Sequence, residues 1–341
     1  MILLKVLSIL FVFCFQKVIN NDFASTFSHP RCRRSVPHGQ VSFDQFMRHE
    51  EINNYIRSLA YRYPKIVKLE HLGKSYEGRD ILAIRISTGN YKKPTIFIEA
   101  GMHGREWIAP PVALYVIYQL IEVPQNYVLF QHVNWVIAPI MNPDGYEYTH
   151  EKERFWRKTR SRGNSCYGVD INRNFGFHWM ATGASHLECS EIYGGPKAFS
   201  EVETIILGNY LWNNRNTIKL YVSLHGYGSY ILYPWAFTTA VAKNQNELHT
   251  LGLEVNSAIS RVYGTRYQVG APPRILYAVA GGSADYAKGV AGIDLAYTIE
   301  LPAGGPYNFD PPPSKIRPTV QETWEGFKVF HRHIERKHGK G

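Results

Sequence analysis

Apolar positions recur at helical spacing between residues 43 and 63 (Phe43, Phe46, Met47, Ile52, Ile56, Leu59, Ala60, Tyr63), and Pro64 closes the run. Short β-rich runs follow at 66–72, 81–86 and 95–100, with a Gly89-Asn90 turn between the last two. Residues 107–121 read as a helix. Residues 135–140 and 220–224 are short unbroken apolar runs, the pattern of strands covered on both faces. Ser200 and Glu203 have the spacing of a capping box that opens a helix to about Trp212. A helix over 247–263, a strand over 295–300 and a last helix from Pro318 to about Arg336 complete the series. Helices alternating with buried strands predict a single α/β domain. Its central mixed β-sheet is expected to be flanked by helices on both faces. No repeat, low-complexity tract or linker divides residues 41–341, and Pro311-Pro312-Pro313 falls in a loop.

The first residues read differently. Lys5 precedes an apolar run, residues 6–15, that is too short to span a bilayer and has the size of a signal-peptide core. A buried N-terminal helix is the plainer alternative, but Asn20-Asn21-Asp22 ends the run without an amphipathic continuation. Residues 1–20 are therefore expected to be a signal peptide and 21–40 a short leader or activation segment, and the protein is expected to be secreted. Arg33-Arg34 is a candidate basic cleavage site within that leader, an ordinary solvated charge pair being the alternative.

Length and composition narrow the class. A chain of 341 residues, 45% hydrophobic and 19% charged, excludes disordered and fibrous architectures. The net charge is +10, and four of those charges come from residues 1–34, which hold five bases and one acid. No long basic run with interleaved aromatics follows beyond 154–162, so neither a nucleic-acid partner nor a membrane is expected. Of four cysteines, Cys14 and Cys32 lie in the leader. Cys166 and Cys189 remain, and a secreted domain would join them as a disulfide, two buried thiols being the alternative.

The most informative stretch is TIFIEAGMHGREWI, residues 95–108. A β-run stops at Gly101, then His103 and Glu106 follow before a helix, where open α/β sheets place their ligands. His-x-x-Glu can offer a nitrogen and a carboxylate to one Zn²⁺, and a catalytic site needs a third protein ligand. His225, at the end of another buried strand, is the candidate. Alone, His-x-x-Glu is common and a surface role is the plainer reading; the second strand-terminal histidine shifts the balance. Further candidates are the basic cluster 155–160, the Asn172-Arg173 pair in a loop, and Glu300 at the end of an apolar strand, a common way to aim an acid into a cleft.

Taken together these segments resemble the zinc metallocarboxypeptidases of the pancreatic carboxypeptidase A/B-like type (peptidase family M14). The resemblance runs from about residue 42 to about 335 and implies a single α/β domain whose central mixed β-sheet has about eight strands. It is carried by SYEGRDI at 75–81, HGREW at 103–107, FWRKTR at 155–160, GVDINRNF at 168–175, SLHGY at 223–227 and QETW at 321–324. It implies one Zn²⁺ held by His103, Glu106 and His225, the His₂Glu set long known in carboxypeptidase A. It further implies that Arg173, with Asn172, grips a substrate's terminal carboxylate, and that Tyr277 closes over it on a mobile loop. Arg105 and Tyr227 would touch substrate, Arg157 would stabilise the oxyanion and Glu300 would act as general base. Asp170 would accept the His103 ring N–H.

Two departures stand out. The family has Arg after the Glu-Leu of the catalytic strand, whereas Leu301 is followed by Pro302-Ala303-Gly304-Gly305, so the loop shape is open. Relatives of this type also carry a propeptide of roughly a hundred residues, and only some 20 residues lie between leader and domain here, so no folded prodomain is expected. The position matching the family's specificity residue is Ala284. With Ala236, Leu276, Val279 and Thr298 it offers no charge, which predicts cleavage after aliphatic and aromatic C-terminal residues; a one-residue shift would instead put Asp285 there. The expected partners are peptide and protein C-termini, and the expected state is a monomer. A non-catalytic binding relative of the same fold, a carboxypeptidase of basic specificity and a cytosolic trimmer of acidic tails are the competing readings.

Overall fold

The computed structural model describes residues 35–339; the signal-peptide reading, Cys14, Cys32, Arg33-Arg34 and all of the 21–40 segment before residue 35 lie outside them. Eight strands form one mixed sheet: β1 Val67–Lys74, β2 Asp80–Ile86, β3 Thr95–Glu99, β4 Asn134–Ala138, β5 Ile218–Gly226, β6 Tyr230–Leu232, β7 Gln268–Gly270 and β8 Leu295–Leu301. Their spatial order is β1-β2-β4-β3-β5-β8-β6-β7. The central pairs β4-β3, β3-β5 and β5-β8 are parallel, and antiparallel pairs join β1, β2 and β6 to them. The helices are α1 His49–Arg62, α2 Ala109–Ile121, α3 Pro143–Glu151, α4 Val202–Asn213, α5 Gln245–Tyr263, α6 Pro272–Ile275, α7 Ser283–Gly289 and α8 Ile316–His338.

Strand parity explains the unbroken apolar runs. Successive side chains point to opposite faces, and here both faces are covered. Ile96, Ile98, Leu220, Val222, Leu224, Leu295, Tyr297 and Ile299 enter one core with α1, α2, α5 and α8. Phe97, Tyr221 and Ala296 enter a second core with α4 and α7. By the same parity Glu99, Ser223, His225, Thr298 and Glu300 belong to the face of the second core, and the parallel strands β3, β5 and β8 all end on one edge of it.

Two details differ from the periodicity. The first helix starts at His49, not near Phe43, because Phe43, Phe46 and Met47 are buried from an irregular segment that bends at residues 43–45. Phe43 packs on Tyr115, Phe46 on Trp107, and the Met47 carbonyl accepts the Tyr146 hydroxyl at 2.7 Å. The Ser200/Glu203 capping box does not form. Ser200 Oγ is engaged by Asn174 and Glu201, Glu203 Oε1 accepts the Tyr76 amide at 3.0 Å, and α4 begins after Glu201. No helix among the described residues is long and apolar enough to cross a membrane.

Candidate active site

The turn between β3 and α2 carries His103 and Glu106, and the end of β5 carries His225. Their ligand atoms lie within 4.8 Å of one another, and all three residues are buried. His103 Nδ1 is 2.7 Å from Glu106 Oε1, His225 Nδ1 is 2.9 Å from Glu106 Oε2, and the two Nδ1 atoms are 3.1 Å apart. The opposite ring nitrogens are engaged elsewhere, His103 Nε2 with Asp170 Oδ1 at 3.0 Å and His225 Nε2 with Ser223 Oγ at 2.8 Å. Both rings therefore present the same nitrogen to one point beside a carboxylate. Two nitrogen lone pairs and an anion in a buried spot repel one another, and a single divalent cation between them relieves this. The donor set fits Zn²⁺. Burial works against the charge of Glu106, yet the two histidines hold its carboxyl well below the usual range.

Asn142, at the N-cap of α3, ties this turn to the basic segment. Its amide donates to the carbonyls of Met102 (3.1 Å) and Lys158 (3.0 Å), while its oxygen accepts the Gly145 amide. The Gly104 amide also donates to the Arg157 carbonyl at 3.1 Å. Arg157 is thereby set beside the metal ligands. Its Nε and Nη2 both lie 2.9 Å from Asp170 Oδ2, and its Nη1 is 3.5 Å from Glu106 Oε1. Burial would weaken this cation, but Asp170 and Glu106 hold its pKa above the ordinary value. Asp170 is a firm carboxylate: burial pushes its carboxyl up, but Arg157, Arg173 and His103 together hold it well below the usual range.

Arg173 follows Asp170 in a short 3₁₀ turn. Its Nε donates to the Gly183 carbonyl at 2.7 Å and its Nη1 to the Asn172 carbonyl at 3.0 Å, which orients the rest of the fork. Asn172 Oδ1 accepts the Ser283 amide at 3.0 Å, leaving its NH₂ group as a donor. The Gly281 backbone passes so close to this turn that a Cβ there would sit 2.4 Å from the Arg173 carbonyl oxygen, and its φ is +73°. Glycine alone suits both conditions. This close approach brings the N-terminus of α7, with Ala284, next to Asn172 and Arg173. The Cys166–Cys189 disulfide encloses the whole Asp170–Arg173 turn.

A cavity of about 590 Å³ unites these groups. Its lining includes His103, Arg105, Glu106, Arg157, Asn172, Arg173, Tyr227, Tyr277, Ala284 and Glu300, as well as the uncharged Ala236, Leu276, Val279 and Thr298. The candidate site positions read from the sequence all line it except His225, which joins the site through its contacts with His103 and Glu106. Glu300 is reached from the cavity and hemmed by protein elsewhere; burial pushes its carboxyl up to about 7, against the pull of His225. Tyr277, at the cavity wall, is 57% exposed. Asp285 also borders the cavity, but both its oxygens accept the Ala236 amide (3.0 and 2.9 Å) and Oδ2 the Phe237 amide (3.2 Å).

Other contributors escaped the sequence reading. Arg105 Nη1 pairs with Glu191 at 2.9 Å and its guanidinium lies over the Phe309 ring at 4.3 Å. The loop after Leu301 folds back on itself, with the Gly304 amide on the Asn308 carbonyl and the Asp310 amide on the Gly304 carbonyl. Arg154 fastens it: the guanidinium stacks on Trp107 at 3.6 Å and donates to the carbonyls of Arg105 and Phe309. That contact anchors the loop after Leu301. Only the cation-rich composition of 154–160 hinted at it.

Known proteins give the same answer. The zinc carboxypeptidase family profile matches residues 52–326. Carboxypeptidase B of Astacus astacus is 43% identical over 291 residues, spanning 84% of this chain and 96% of that one. Zinc carboxypeptidase A 1 of Drosophila melanogaster is 40% identical over 82% of this chain and 67% of that one. Among solved structures, the carboxypeptidase A from Helicoverpa armigera superposes with a TM-score of 0.84 at 37% identity, over 89% of this chain and 77% of that one. With a buried His₂Glu cluster at the carboxyl ends of its parallel strands, this chain belongs to the zinc carboxypeptidase family and is a metallocarboxypeptidase.

Proposed function

We propose that the protein is a secreted exopeptidase that removes aliphatic and aromatic residues from peptide C-termini. The observation that carries this preference is the absence of an unpaired charge around Ala284. Ala236, Leu276, Val279 and Thr298 are neutral, and the carboxylate of Asp285 is already bonded to two backbone amides. An apolar side chain buried here gains about 1.5–3 kcal/mol. A cationic one without a partner costs several kcal/mol. The Cys166–Cys189 bridge suits an oxidising compartment, which supports secretion.

The chemistry follows from the donors in the cavity. His103, Glu106 and His225 would hold Zn²⁺, and what the ion supplies when bound is Lewis acidity towards a carbonyl and a water. Arg173 offers a fork to the terminal carboxylate, and the Asn172 NH₂ group adds a second donor. A substrate anchored in this way has its C-terminal side chain beside Ala284. Glu300 takes a proton from the attacking water and later hands it to the leaving amine. Arg157 donates to the developing oxyanion, held in place by Asp170. Tyr277 closes over the bound residue and excludes water.

A second reading, basic specificity, is favoured by the names of several relatives, the Astacus protein among them, which are carboxypeptidases B. It requires Asp285, which already borders the cavity, to give up its backbone amides and turn to the bound side chain. Release of the C-terminal amino acid from blocked dipeptides tests the reaction. Glu300→Gln should keep zinc while losing roughly 10²–10⁴-fold in rate, and near-normal turnover in that variant removes Glu300 from the role of base.

A further inference from the structure

Glu99 closes β3 and has no exposed surface. Its Oε1 accepts the Tyr221 hydroxyl at 2.9 Å, and its Oε2 has no hydrogen-bond partner. A buried carboxylate with an orphaned oxygen requires an explanation. The mechanism above does not use it. Its neighbour across the β3-β5 ladder is Ser223, which is also fully buried and whose Oγ lies 2.8 Å from His225 Nε2.

Counting protons connects the three residues. A neutral imidazole carries one ring proton. With Nδ1 turned to the cation, that proton sits on Nε2 and is donated to Ser223 Oγ. The serine's own O–H must then point elsewhere, and the orphaned acceptor beside it in the ladder is Glu99 Oε2. We propose that Ser223 and Glu99 are positioning residues for the metal, a carboxylate–hydroxyl–imidazole chain that fixes the tautomer and ring plane of His225. The chain rests on the reading of His225 as a ligand. Each zinc histidine is then backed by a buried carboxylate, His103 directly by Asp170 and His225 by Glu99 through a hydroxyl. Strand parity makes the second arrangement indirect: Ser223 and His225 are two residues apart on the same face of β5, and Glu99 pairs with the first of them.

The test is zinc affinity, measured by competition with a chelating indicator, with circular dichroism and Tm of the metal-free protein as folding controls. Ser223→Ala and Glu99→Gln should each raise the zinc Kd by about 10–100-fold. The double variant should be no weaker than the weaker single one, because the links act in series. Ser223→Thr keeps the hydroxyl and should keep near wild-type affinity; it and Glu99→Gln preserve the test if the alanine variant is unstable. A folded Ser223→Ala protein with wild-type zinc affinity overturns the proposal. So does a Glu99→Gln effect that persists undiminished when Ser223 is already alanine, or a change confined to metal-free Tm. His225→Ala separates the two levels. Wild-type affinity there removes the ligand assignment itself, whereas loss there with none in Ser223→Ala overturns only the chain behind it.

Discussion

Asp170 and His103 are joined by a 3.0 Å hydrogen bond, in which Oδ1 of a fully buried carboxylate receives the ring proton at Nε2. The same carboxylate binds Arg157 through Oδ2 and accepts the Asn172 amide through Oδ1. One side chain thus orients a histidine of the candidate metal site, the proposed oxyanion donor Arg157 and the start of the turn proposed to bind the substrate carboxylate.

Asp170→Asn should therefore damage more than one function. Zinc affinity should fall about 10–100-fold, as for other hydrogen-bond partners of metal-bound histidines. Arg157 loses its counter-ion in a buried place, so Tm and kcat should fall too. Chelator competition and steady-state kinetics on zinc-saturated enzyme separate the two effects. Unchanged kcat at saturating zinc would show that Asp170 serves the metal alone.

Much of this site was legible because chemistry and strand geometry coincide. Residues at the ends of buried β-runs, His225 and Glu300, stand out as polar groups where an apolar segment stops. The motif around His103 and Glu106 marks the turn between β3 and α2. What escaped were contacts made by ordinary residues at long range. Asn142 looks like any helix cap, and nothing local shows that its amide also holds Met102 and Lys158. Glu191 meets Arg105 across 86 positions. The Ser200/Glu203 spacing misled for the same reason: the amide of distant Tyr76 outcompeted the local cap. Strands β6 and β7, three residues each, are too short for periodicity to reveal.

A pH effect on stability follows from Asp285. Burial pushes its carboxyl up to about 7, from an ordinary value of 3.8, despite the amides it accepts. Between about pH 4 and 7 the native state therefore holds a proton that the unfolded chain has released. Stability falls as pH rises across this window, by about 1.4 kcal/mol per unit from this group, and levels off above it. Asp285→Asn keeps one acceptor oxygen and removes the ionisation. Its denaturant midpoint should decline less than that of the wild type between pH 5 and 7; parallel declines would place the ionisation elsewhere.

The disulfide offers a third test. Cys166–Cys189 encloses the turn bearing Asp170, Asn172 and Arg173, and Glu188 beside it accepts the Ser165 amide at 2.7 Å. Replacing both cysteines with serine should cost about 2–4 kcal/mol. Because the turn positions the carboxylate fork, KM should rise more than kcat falls. Equal stability by guanidinium denaturation, or a loss confined to kcat, contradicts this role.

Pocket size and charge can be switched by one residue. Ala284→Asp adds an unpaired carboxylate beside the neutral wall, and should raise kcat/KM for C-terminal Lys or Arg by at least tenfold while lowering it for Phe. An unchanged order of substrates would mean that residue 284 does not face the bound side chain.

The most direct measurement is kcat/KM of the wild-type, zinc-loaded enzyme on a matched set of peptides ending in Phe, Leu, Lys and Glu. A neutral pocket predicts Phe and Leu ahead of both charged residues by roughly 10²-fold or more, the factor that a few kcal/mol of uncompensated charge burial implies. A preference for Lys would contradict the account, making Asp285 rather than Ala284 the residue that meets the bound side chain.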